Sequence, residues 1–223
     1  MYVGTQVAPR DVSDLKVWAQ LGVNNICADP FYEDEIGNYI SINPHDWTVD
    51  ILEKHIELLS NHGLSLDMVQ IPLSSRPLEE SQSPNIMLGK SPERDKEIES
   101  IQNLISLCSK AGIPAVKYNM NIIGIPRSES EKGRGGSINS TFRWEKINQN
   151  DPPGIAGILD VDTNWERIDY FLERIVPVAE EYKVRLACHP HDPYTPDGYK
   201  GVSRVLATVE GLKKFISMHE SSY

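Results

Sequence analysis

Val184-Arg185-Leu186-Ala187-Cys188-His189-Pro190-His191-Asp192-Pro193 is a short apolar run that ends in two imidazoles, a carboxylate and two prolines. Val184–Cys188 has the length and composition of a buried strand, and the cluster follows its last residue at once. Upstream, Trp165–Tyr182 repeats apolar residues at helical spacing (Ile168, Phe171, Leu172, Ile175, Val178), with Asp162, Thr163 and Asn164 as candidate caps. Pro177 inside it is expected to kink the helix or to begin its last segment. Downstream, Ser203–Ile216 reads as another helix. A strand flanked by helices, with chemistry at its tip, is the unit from which the rest can be read.

The same unit recurs toward the N-terminus. Strands are expected at Tyr2–Val7, Val23–Ala28, Leu64–Leu73 and Ala115–Met120. Helices are expected at Asp11–Leu21, Asp50–Asn61 and Arg94–Lys110, stopped by Gly22, Gly63 and Gly112. Ser74–Pro92 is polar and proline-rich and reads as a loop. Strict alternation, five times over, implies a parallel sheet with right-handed crossovers. Two architectures fit that order, an open doubly wound sheet and a (β/α)8 barrel. The first strand–helix turn, Gln6-Val7-Ala8-Pro9-Arg10, carries no GxGxxG, which weakens the dinucleotide-binding open sheet. The unusual residues gather just after strands: Asp29-Pro30, Gln70, Lys117-Tyr118-Asn119 and His189-Pro190-His191-Asp192. A barrel would collect them on one rim, where barrel active sites sit. The expected fold is therefore α/β, a TIM (β/α)8-type barrel. About 250 residues make a full barrel, so the chain is expected to form a single partial barrel domain over residues 1–223, truncated after about five βα units, with a long loop at 121–164.

Composition narrows the function classes. With 22 Lys and Arg against 32 Asp and Glu, the 223 residues carry a net charge of −10, which disfavours nucleic acid or an anionic membrane as partner. No apolar run is long enough to span a bilayer. The segment Met1–Gln6 has neither the basic patch nor the apolar core of a signal peptide. Cys27, Cys108 and Cys188 cannot all pair and form no CxxC, so a reducing, cytoplasmic setting is expected.

Imidazole and carboxylate held on a stiff loop suit a metal or catalytic site, so His189, His191 and Asp192 form the first candidate cluster. The competing reading is a loop whose Asp accepts backbone hydrogen bonds while the histidines fill space. Lys117-Tyr118-Asn119 is the second. Strand alternation aims Lys117 and Asn119 one way and Tyr118 the other, and polar side chains at a strand tip suit substrate contact or simple solvation. The third is the 121–164 loop, where Arg127 and Lys132-Gly133-Arg134-Gly135-Gly136-Ser137 could fold over an anion. His55 and His62 lie on or beside a helix and read as packing or surface residues, and Asp67 reads as structural.

With these residues in place, the sequence resembles the mannonate dehydratase family, within the xylose isomerase-like TIM barrels. The similarity runs through Ile175-Val176-Pro177-Val178-Ala179-Glu180-Glu181, Val184–Ala187, His189–Pro193, Gly201, Arg204-Val205 and Thr208-Val209-Glu210, with Tyr118-Asn119 and Arg127 as a second motif. The resemblance implies a lyase that dehydrates D-mannonate to 2-keto-3-deoxygluconate with a divalent metal, usually Mn²⁺. His189 matches a metal ligand, and Tyr118, Asn119, Arg127 and Asp192 match substrate-contacting positions. His191, grouped with them, stands where the family more often has Asp, and Gln70 stands where better-known members carry an acid. The family's remaining metal ligands come from strands six to eight, so they are expected beyond residue 223. Two other readings stay open: a xylose isomerase-like sugar isomerase or epimerase, and an inactive fragment. The expected partner is a small sugar acid, and a homo-oligomer is compatible with the sequence.

Overall fold

The computed structural model describes residues 2–223. Five short strands, β1 (Gly4–Thr5), β2 (Asn25–Cys27), β5 (Ser65–Gln70), β6 (Ala115–Asn119) and β9 (Arg185–His189), make one sheet in that spatial order, every neighbouring pair parallel. Order in space follows order in the chain. An open doubly wound sheet reverses direction at a switch point, whereas a sheet that always adds the next strand on the same side, through right-handed crossovers, keeps its helices on one face.

The helices obey this. Helices α2 (Val49–Ser60), α4 (Glu93–Ala111) and α5 (Val161–Tyr182) form a single layer in which α2 packs on α4 and α4 on α5. Their apolar stripes close the core against the sheet: Leu52 and Leu59, then Ile98, Ile101 and Ile105, then Ile168, Phe171 and Ile175, all buried with Ile26, Val69 and Val116 of the strands. Helix α1 (Val12–Gln20) buries Leu15 and is capped by Asp11, whose side chain accepts from Ser13 and Asp14.

Several expectations change in detail. The first strand shrinks to two residues. The stretch after β2 forms a hairpin of β3 (Phe31–Glu33) and β4 (Tyr39–Ser41), in which Phe31 stacks on Tyr39. The Ser74–Pro92 loop contains a short helix, α3 (Pro84–Leu88), and the 121–164 segment a small hairpin, β7 (Glu131–Lys132) and β8 (Ile138–Asn139). The last helix, α6, is confined to Val209–Ile216, after a 3-10 turn at Val205–Ala207. Gly211 explains part of this: a Cβ there would collide with the carbonyl oxygen of Val205, so only glycine lets the turn fold against the helix.

Helix α5 begins four residues earlier than its apolar repeat, because Asp160 rather than Asp162 caps it, accepting the Thr163 N–H at 2.8 Å. It runs unbroken through Pro177, whose exposed position leaves the carbonyl it cannot pair facing water. Asp160→Ala is expected to cost about 1 kcal/mol of stability, read as a lower urea midpoint with unchanged m-value.

Candidate active site

Neighbours in a parallel ladder point to the same side of the sheet, so register assigns each tip residue to a face. Asn119 pairs with His189 and Lys117 with Ala187, while Tyr118 pairs with Cys188. Tyr118 is 1 % exposed and lies against the Phe171 ring, centroids 5.6 Å apart, which places it in the layer between sheet and helices. Lys117, Asn119 and His189 therefore share the opposite, concave face.

That face is polar along its length. Lys117 Nζ donates to Gln6 at 3.0 Å, and Asn25 Nδ2 donates to Asp67 at 2.7 Å. Asp29, just past β2, accepts the backbone N–H of Gln70 at 2.6 Å. Burial raises its carboxyl to about 6, against the opposing pulls of that hydrogen bond and of Lys117. Asp29 and Gln70 line a polar cleft of about 390 Å³ at the tips of β2 and β5. The sequence places Asp29 among the tip residues but gives no sign of its altered acidity, which comes from packing.

The His189–Asp192 loop splits its functions. His189 is half-buried on the concave face, with Nδ1 2.6 Å from the Pro190 carbonyl oxygen. Nδ1 is then the protonated nitrogen, and Nε2 keeps its lone pair for a ligand. His191 is 5 % exposed and turned the other way. Its Nε2 donates to the Met120 carbonyl at 3.0 Å, and its Nδ1 accepts the Leu206 N–H at 3.3 Å. Both ring nitrogens are used, and burial lowers its pKa to about 4, so it is a neutral strut. Of the residues expected to contact substrate, His191 has its side chain taken up by two backbone groups and Tyr118 lies buried against Phe171.

Asp192 and Arg127 are brought together, Oδ2 to guanidinium at 3.5 Å, both partly exposed. Holding this loop is a residue that the sequence marks only within the family resemblance, with no role attached. Arg204, 7 % exposed, donates to the carbonyls of Asp192 (3.1 Å) and Pro193. Its signal was available as a lone cation inside the apolar run Val202–Leu206.

Among the described residues no three His, Cys, Asp or Glu side chains come together to hold a metal. His189 offers one ligand, and catalytic sites normally use about three, so these residues do not by themselves fit a metal centre. The thiols are no substitute: burial raises Cys27 to about 11 and both Cys108 and Cys188 to about 12. No helix among the described residues is long and apolar enough to cross a membrane.

Tyr118→Phe follows from this placement. Removing a hydroxyl that faces Cys188 and the helices is expected to leave ligand affinity within about twofold, with a stability change of about 1 kcal/mol or less. Calorimetric titration beside urea denaturation checks both.

Comparison with known proteins agrees with this layout. Residues 156–223, which include the whole His189–Asp192 loop and Arg204, match the family model for D-mannonate dehydratase (UxuA). Mannonate dehydratase 2 of Halalkalibacterium halodurans is 29% identical over 196 residues, covering 76% of this chain and 54% of that protein. In fold, the chain is similar to the crystal structure of mannonate dehydratase from Streptococcus suis serotype 2 (TM-score 0.77, 24% identity, 99% of this chain and 62% of that one). It is similar more distantly to a xylose isomerase domain protein from Planctomyces limnophilus (TM-score 0.51, 11% identity, 99% of this chain and 60% of that one). The fold is that of the xylose isomerase-like TIM barrels, and the chain spans about half the length of the curated relatives it matches. By sequence along most of its length the chain is similar to mannonate dehydratases, and its last 68 residues match their family model.

Proposed function

We propose that this protein acts as a mannonate dehydratase-type hydro-lyase in the cytoplasm, converting D-mannonate to 2-keto-3-deoxygluconate and water. The observation that carries this reading is the lateral pairing of Asn119 with His189 on the concave face at the strand tips, within a chain related to mannonate dehydratases. In the reaction the C2 proton is removed, the C3 hydroxyl leaves with a proton as water, and the resulting enol becomes the 2-keto acid. Charge builds on the substrate carboxylate as C2 loses its proton, and fixed positive groups lower that barrier. In this proposal Arg127, drawn to the rim by Asp192, serves the carboxylate, and the Asn119 amide orients a hydroxyl. His189 presents its free nitrogen beside them.

A divalent cation, Mn²⁺ by the family resemblance, would supply Lewis-acid chemistry where bound. The described residues offer it the single imidazole of His189. The proposal is tested by incubating the purified protein and Mn²⁺ with D-mannonate, and separately with aldoses. Release of a 2-keto-3-deoxy acid is expected. Ketose formed from an aldose would replace the lyase with an isomerase, and turnover of neither would remove both.

A further inference from the structure

The concave face is longer than the Asn119–His189 pair needs. On the next two strands of the sheet, β5 and β2 end in a second recess on the same rim, walled by Asp29 and Gln70 and by Ser41, Asn43, Ser74 and Gln82 from the adjoining loops. Its hydrogen-bonding capacity is largely unspent. Asp29 uses one oxygen on the Gln70 N–H. Among the described residues, the side chains of Gln70, Ser41 and Gln82 have no hydrogen-bond partner, whereas Asn43 and Ser74 each accept one backbone N–H. The one cation at the mouth, Arg76, is paired with Glu80 at 3.3 Å.

This chemistry selects its ligand. Amides and hydroxyls both donate and accept, as the hydroxyl groups of a polyol do, and a carboxylate accepts strongly from them. A ligand carboxylate would meet Asp29 and Glu80 here and be repelled. The same group is favoured toward β9, where Arg127 supplies positive charge beside Asp192, while Lys117, paired in register with Gln70, stands between the two ends. A sugar acid on this face is thereby given one orientation, acid end toward β6 and β9, hydroxylated tail toward β2 and β5.

We infer that the Asp29–Gln70 recess is a polyol subsite that holds the tail of the sugar acid and sets the chain length the protein prefers. The inference rests on the proposed function, which supplies the sugar acid, and extends it to the tips of β2 and β5. Part of the carboxylate's cost is met when a ligand hydroxyl donates to it, since Asp29 is otherwise held in a site that disfavours its charge.

Chain length provides the test. Affinity for D-mannonate and for D-glycerate, which keeps the acid end and lacks the tail, is measured by calorimetry on the unaltered chain, on Gln70→Ala and on Ser41→Ala. Urea denaturation confirms that each variant folds. Gln70→Ala is expected to weaken D-mannonate about tenfold, the loss of roughly one to two net hydrogen bonds, and Ser41→Ala by less. Both should leave D-glycerate unchanged. Should Gln70→Ala weaken both acids equally, or neither, the subsite is overturned while the proposed function stands. Should the unaltered chain bind neither acid, the proposed function falls and the subsite with it. Amide shifts supply a second reading: D-mannonate is expected to move Gln70, Ile71 and Asp29, and D-glycerate only Asn119 and His189. Shifts at Gln70 of equal size with both acids would overturn the subsite.

Discussion

His191→Ala is expected to unfold at a much lower urea concentration than His189→Ala, although the two imidazoles are two residues apart. The His191 ring fills a buried site, donates to the Met120 carbonyl and accepts from the Leu206 N–H. Alanine strands both backbone groups out of reach of water and leaves a void. Each buried unsatisfied group costs about 1–3 kcal/mol, and the void adds to it, so a loss of about 3–4 kcal/mol is expected. His189 makes one bond, to the carbonyl of its own neighbour, on a half-buried face. Its removal should cost about 1 kcal/mol or less and weaken ligand binding instead. Equal losses in the two variants would contradict the assignment of one histidine to the loop and the other to the site.

Acidification supplies the second large effect. His55 is 3 % exposed, donates to the Ala28 carbonyl and meets the edge of the Phe31 ring; burial lowers its pKa to about 4, as it does for His191. In the unfolded chain both titrate near 6.5. Between about pH 6.5 and 4 the unfolded state therefore binds two protons that the native state refuses. The stability these neutral rings provide is complete above pH 6.5 and is lost as pH falls. Asp29 acts in the opposite sense. Its native pKa of about 6 exceeds the unfolded value near 3.9, so it favours the native state at low pH and opposes it as pH rises to 6. Two protons against one leaves a net uptake of about one on unfolding, or roughly 1.4 kcal/mol lost per pH unit between pH 6 and 4.

Asp29→Asn keeps an acceptor for the Gln70 N–H and removes the opposing charge. It should stabilise the chain at pH 7 by about 2 kcal/mol and steepen its acid sensitivity toward two protons. Urea midpoints taken across pH 4 to 7.5 read both quantities. A flat profile, or a variant less stable at pH 7, would contradict the burial assigned to these groups. Stability gained by removing a carboxylate would also mark Asp29 as a residue kept at a cost to the fold, as binding residues often are.

How far the sequence reveals this molecule depends on the range of the forces involved. Periodicity is local, and it places α2, α4 and α5 and the strands between them to within a few residues. Alternation along Lys117-Tyr118-Asn119 is local too, and it assigns their faces correctly even where the family motif had joined Tyr118 to the site. The β3–β4 hairpin is harder to see, because three-residue strands are too short to show a period. It is fixed instead by Phe31 stacking on Tyr39 and packing against His55 from another element. The fates of His189 and His191 could not be separated from spacing. The turn after Pro190 swings the second imidazole toward Met120 and Leu206, partners 71 and 15 residues away. The clamp of Arg204 and the altered acidity of Asp29 have the same origin, in groups that meet only once the chain has folded.

The central claim is that sugar-acid chemistry belongs to the concave face of the sheet, at the tips of β6 and β9. A crystal of this chain soaked with D-mannonate tests it most directly. Density for the acid is expected between Asn119 and His189, with its hydroxylated end running toward Gln70. Density instead in the apolar cavity beside Trp165 and Lys214, between α5 and α6, with the concave face empty, would contradict it.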